Sequence, residues 1–222
     1  MVPSNAEKTE PGQGRSGARA AKKRAHALTD PQVNLSSVIG LIERIVEMND
    51  LYTADHQRRV ARLAIAIAQE MGLSQSQLDA VHAAAAIHDV GKVYMPDDIL
   101  NKPGNLEEDE LRVARNHAQA GHYMLEGVEF PWPVATIVLQ HHELMDGSGY
   151  PQGLRGDEIL LEARVLAVAD VVEAMASPRP QRAALGIDDA LKEVLDKRGT
   201  LYDPAVVDAC IRLFTERSFS LP

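Results

Sequence analysis

The chain has 222 residues, 45% hydrophobic and 25% charged, enough for one full core plus a tail or at most two small cores. Its formal charge of -9 is unevenly spread: residues 1–34 hold six Lys/Arg against three Asp/Glu, leaving 17 basic against 29 acidic residues, which argues against a surface for polymeric nucleic acid. A single cysteine, Cys210, excludes an internal disulfide and a thiolate-built zinc site, and without a long apolar run or secretory leader the expected protein is cytoplasmic, with no membrane insertion.

Residues 1–34 are rich in Gly, Ala, Ser, Pro and charge and include the basic run Lys22, Lys23, Arg24. They read as a disordered tail or linker ahead of a domain over residues 35–222. From Leu35 onward the pattern is helical. Leu35, Val38, Ile39, Ile42, Ile45 and Val46 recur at helix spacing behind Asn34, a fitting N-cap. Further helices are expected over residues 53–71, stopped by Gly72, and over 76–90, 107–125, 133–142, 160–177, 187–197 and 204–214. No stretch alternates with period two, so the expected fold is all-α.

Residues three or four apart share a helix face, which tests each histidine in turn. His56 lies on the stripe of Val60, Leu63, Ile67 and Met71. His88, with Asp89 beside it, continues Leu78, Val81 and Ala85, and His141 and His142 continue Val134, Ile137 and Val138. Asp170 sits between Val168, Ala169, Val171 and Val172. A buried carboxylate costs several kcal/mol unless it is paired, so Asp170 needs a partner. Its one nearby cation, Arg164, is not one turn away; a metal shared with the inward histidines would satisfy all of them. Mixed imidazole and carboxylate ligands suit iron or manganese, and zinc or nickel less distinctively.

The segments AAIHDVGK, PDDILNKPGNL, HHELMDGSGYPQGL, ARVLAVADVVEAM and SPRPQR follow one another in an order that resembles the HD-GYP phosphodiesterases, a branch of the HD superfamily of metal-dependent phosphohydrolases. The likeness covers roughly residues 51–214 and implies an HD-domain helical bundle with the GYP extension. It implies metal ligation by His56, His88, Asp89, His117, His141, His142 and Asp170, with two metal ions, iron first and manganese next. Asp89 would bridge them, and a shared water of lowered pKa would attack phosphorus. Lys92, one turn after His88 and Asp89, would reach the substrate phosphate.

The implied substrate is a cyclic dinucleotide, foremost cyclic di-GMP, opened to linear pGpG and in some members cut on to GMP. Arg179 and Arg182 match substrate-side basic positions, and guanidinium groups suit phosphate oxygens or a guanine edge. The GSGYP loop holds no acid or base after Asp146; it reads as a substrate-shaping element through Tyr150, and as a docking surface for signalling proteins such as diguanylate cyclases. His82 is a candidate to support a ligand, His26 and His122 match no ligand position, and Cys210 reads as core.

Departures from the family pattern carry expectations of their own. Members with a third metal place a glutamate four residues before the first ligand histidine; here that residue is Tyr52, which predicts two metals and a slow second cut. Glu173, Ala176 and Gln181 replace the usual Asp, Thr and Tyr. The rival readings are a catalytically weak HD-GYP scaffold acting through its GYP surface, and an HD-type hydrolase of other nucleotides or linear phosphodiesters.

Overall fold

The structure, a computed structural model, describes Met1, residues 31–178 and residues 183–221. The described residues contain ten α-helices and no strand, so the all-α expectation holds. They are α1 (Pro31–Asn49), α2 (Leu51–Glu70), α3 (Gln75–Ile87), α4 (Asp97–Leu100), α5 (Glu108–Arg115), α6 (His117–Leu125), α7 (Val134–Gln140), α8 (Leu161–Ala176), α9 (Ile187–Asp196) and α10 (Pro204–Glu216). The chain divides into Met1–Val38 and Ile39–Pro222, with α1 starting in the first unit and ending in the second. Most of the predicted tail, His26 included, lies outside the described residues, as do Arg179, Gln181 and Arg182.

In the second unit α2 is the hub. It packs against α3, α8 and α10, with Val60, Leu63 and Ile67 fully buried. Asp50 caps its start, accepting from the Tyr52 amide at 2.9 Å, and Ser74 with Gln77 closes a capping box on α3. α8 is apolar on nearly every side, which suits a helix enclosed by α2, α3, α9 and α10. Its Val165, Leu166, Val168 and Val172 are wholly buried, each stabilising by roughly 1.5–3 kcal/mol. Cys210 is buried in α10, and burial pushes its thiol up to about 12, consistent with a core role.

The structure differs from the sequence expectation in several places. The first helix starts at Pro31, so Asn34 lies within it and is not its N-cap, and the short α4 was not expected. The helix expected over residues 107–125 breaks at Asn116, whose amide turns back to the Val113 carbonyl at 3.1 Å while the His117 ring occupies the Ala114 carbonyl at 2.7 Å. The helices expected to run to residues 90 and 142 stop at Ile87 and Gln140, so His88 and His141 are their C-caps. The segment after Asp89 forms a tight 3₁₀ turn, Val90–Tyr94. It lies so close to α6 that a Cβ on Gly91 would stand 2.0 Å from the His117 carbonyl oxygen, so only glycine fits there.

Candidate metal centre

Each of the seven expected ligands arrives from the end or the buried face of a helix, and the structure brings all seven together. His56 is in α2, His88 and Asp89 follow α3, His117 opens α6, His141 and His142 follow α7, and Asp170 is in α8. Three close groups result: His56 with His88 and Asp170, His88 with Asp89 and His141, and His117 with His141 and His142. All are buried except His142, which is partly exposed.

Three of the histidines share one local device. The Nδ1 atoms of His88, His117 and His141 lie 2.9, 2.7 and 2.5 Å from the carbonyls of Ala85, Ala114 and Val138, each three residues earlier. A carbonyl only accepts, so each Nδ1 carries the proton and each Nε2 presents a lone pair. At helix ends those carbonyls lack intrahelical partners, so the backbone fixes the tautomer without an added side chain.

That assignment creates a deficit. The Nε2 atoms of His117 and His141 face each other at 3.2 Å, and the Nε2 of His88 is buried without a hydrogen-bond partner. Burial, followed by the neighbouring His142, His88 and His117, holds the His141 imidazole well below its usual range, so a proton does not relieve the contact. A cation would. The donor set of imidazole and carboxylate fits a first-row divalent metal.

Asp89 stands between the two histidine groups. Its Oδ1 is 3.4 Å from His117 Nε2, while its Oδ2 is 3.5 Å from His88 Nε2 and 3.9 Å from His56 Nε2. Burial opposes its charge, but the Lys92 ammonium beside it holds its carboxyl well below the usual range. The Lys92 ammonium donates to Oδ2 at 2.7 Å. Asp170 finds the partner it needed in His56, Nε2 to Oδ1 at 2.9 Å, with His142 Nδ1 at 4.0 Å from its other oxygen. Arg164 is turned elsewhere, to Asp157 and Asp203 at 3.0 Å each. Desolvation among the packed rings lowers both His142 and His117, and Asp89 partly offsets it.

Residues to which the sequence reading gave no role in the site complete it. Glu173, wholly buried, accepts from His56 Nδ1 and from Arg59 Nε, so a carboxylate holds a ligand histidine that has no helix-end carbonyl. Burial alone would depress His56, but its bonds to Asp170 and Glu173 raise its pKa to about 9. The available signal was spacing: Glu173 lies three residues after Asp170 in the same apolar helix. Glu143 was visible as a third polar residue after the histidine pair. Its buried carboxylate accepts from the amides of Gln152 and Leu154 at 2.6 and 2.9 Å and anchors the GYP loop.

The loop folds back tightly. A Cβ on Gly149 would meet the Leu144 nitrogen at 2.4 Å and the His142 carbonyl at 2.5 Å, and the Tyr150 amide donates to that carbonyl at 3.1 Å. Asp146 turns inward on the loop, accepting from the amide and hydroxyl of Ser148 at 2.9 and 2.6 Å. Tyr150 thereby packs on His142, ring centroids 4.8 Å apart, and the Arg115 guanidinium sits over the Tyr150 ring at 5.3 Å. Burial, with Asp170 and Asp89 nearby, pushes the Tyr150 phenol above its ordinary value and keeps it a donor. Lys92, Arg115, Tyr150, Asp89 and Asp170 line one cavity of about 350 Å³. His82 is exposed on α3, and His122 bonds the Ala135 carbonyl at 3.1 Å, so neither supports a ligand.

An HD domain family model matches residues 40–206. The cyclic di-GMP phosphodiesterase response regulator RpfG of Xanthomonas campestris is 43% identical over 173 residues, 77% of this chain and 46% of that protein. A cyclic di-GMP phosphodiesterase of Thermotoga maritima is 38% identical over 184 residues, 82% of this chain and 50% of that one. Among solved structures, the cyclic GMP-AMP specific phosphodiesterase V-cGAP3 of Vibrio cholerae superposes with a TM-score of 0.55 at 30% identity, covering 84% of this chain and 42% of that one. The chain spans about half the length of the curated relatives it matches. No helix among the described residues is long and apolar enough to cross a membrane.

Proposed function

The chain belongs to the HD-GYP type of the HD-domain family, and on that premise we propose that it is a metal-dependent phosphodiesterase that opens cyclic di-GMP to linear pGpG. The observation that carries this reading is Asp89, a buried carboxylate whose two oxygens face separate sets of histidine lone pairs. His56, His88, Asp89 and Asp170 would hold one metal; Asp89, His117, His141 and His142 would hold the other. Iron is the first choice of ion and manganese the second. Bound there, the metals supply Lewis acidity and a water whose pKa falls toward neutrality.

The chain's own residues do the rest. Lys92 offers its ammonium hydrogens to a phosphoryl oxygen beside Asp89, and Tyr150, which lines the same cavity, offers its phenolic hydrogen. Arg115, at the mouth, pairs with the second phosphate of the ring. Arg179 and Arg182 remain substrate contacts by resemblance alone. The carbonyl and Glu173 anchors keep His56, His88, His117 and His141 oriented, so little reorganisation is left for the reaction. The GYP surface serves as the docking face for signalling proteins, and the protein works in the cytoplasm.

The test is to load the purified protein with iron or manganese under anaerobic conditions, add cyclic di-GMP or 3'3'-cGAMP, and resolve the products by chromatography. pGpG as the main early product is expected. No hydrolysis by protein carrying two metals per chain would remove the enzymatic reading and leave the scaffold.

A further inference from the structure

The cavity over Asp89 is one half of a longer cleft. It shares His56, Lys92, Met95 and Ala114 with a second cavity of about 370 Å³, so Lys92 stands where the two meet. The second lobe has a different chemistry. Its walls include Tyr52, Met95, Ile99 and Leu106, with Asn101 adding an amide. Its one carboxylate, Asp50, already accepts from the Tyr52 amide at 2.9 Å and the Thr53 hydroxyl at 2.6 Å. Such a lobe is poor in ligands for a cation and well suited to a flat heteroaromatic group.

Tyr52 gives the lobe its aromatic side. Its ring lies within 5° of parallel to the imidazole of His56, centroids 6.3 Å apart, one turn earlier on α2. The orientation of the wall is thus tied to that of a proposed metal ligand. The loop that carries Asn101 and Leu106, which also lines this lobe, is anchored as well: Lys102 bonds both oxygens of Glu110, at 2.7 and 2.6 Å, and pins it to α5.

The geometry points to a purine-binding slot, in which one base of the cyclic dinucleotide packs against Tyr52 while the phosphodiester it carries lies at Lys92 and Asp89. This rests on the reading of the cleft as a cyclic dinucleotide site. Lys92 lines both lobes, so a phosphate that it touches lies within one nucleotide's reach of each. At the position where three-metal members hold a glutamate, this chain would use an aromatic ring to hold a base.

Calorimetry on the metal-loaded full chain tests the slot by comparing GMP with inorganic phosphate in the natural protein, in Tyr52→Ala and in Leu106→Trp, which removes one wall or fills the space. Base stacking on an aromatic side chain predicts that GMP binds about tenfold or more tighter than phosphate, and that each variant loses most of this advantage with phosphate affinity unchanged. GMP binding no tighter than phosphate, or a ratio that both variants leave intact, overturns the slot. Neither measurement needs turnover. A protein that binds GMP this way yet leaves cyclic di-GMP intact would sink the phosphodiesterase reading while the slot stands.

Discussion

Replacing Glu173 by Gln perturbs the centre without changing its volume. In the natural protein one wholly buried carboxylate accepts from both His56 Nδ1 and Arg59 Nε. An amide has a single acceptor oxygen and no charge, so one of those donors loses its partner and His56 loses a counter-ion. Loss of such an outer anchor typically costs about 10- to 100-fold in metal affinity, which is about 1.4–2.8 kcal/mol. The assay is competition against a chromophoric chelator, with metal content measured on the same samples. A second readout is the His56 imidazole in the metal-free variant, followed by NMR, whose pKa should fall from about 9 toward 6.5. A Glu173→Gln protein that binds both metals with undiminished affinity, its His56 still titrating near 9, would refute the reasoning.

Three further outcomes are expected. The raised pKa of His56, about 9 against 6.5 unfolded, contributes stability that is fully present below 6.5 and lost as pH rises through 9, on the order of 3 kcal/mol. Denaturant melts of the metal-free protein should therefore weaken across that window, and a flat or rising profile would contradict the assignment. Gly149→Ala forces a Cβ into backbone atoms at 2.4 and 2.5 Å, so the loop must shift and Tm should drop by roughly 5 °C; an unchanged melt would count against the tight fold-back. Arg115→Ala should raise KM for cyclic di-GMP about tenfold with kcat nearly constant, because Arg115 stands at the mouth rather than beside Asp89; an equal fall in kcat would place it in the chemistry instead.

The helical faces were legible because apolar residues recur at 3.6-residue spacing, and they alone selected His56, His88, His141, His142 and Asp170. His117 needed the family resemblance, since Leu111, Ala114 and His117 make only a short stripe and the helix in fact breaks at Asn116. What periodicity could not display is how chain ends are satisfied. The carbonyls of Ala85, Ala114 and Val138 carry no sequence signature, yet they set three tautomers. Glu173 stood in plain view as a carboxylate among apolar residues and Glu143 beside the histidine pair; their partners, 117 and 9 to 11 residues away, exist only once the helices are packed. The four-residue α4 escaped because one turn is too short to show a period.

Anomalous diffraction from crystals of the metal-loaded protein, collected at the iron and manganese edges, tests the central claim most directly. Two peaks are expected, one on each side of Asp89, the first also within bonding reach of His56, His88 and Asp170 and the second of His117, His141 and His142. A single peak, or a third one beside Tyr52, would contradict the account.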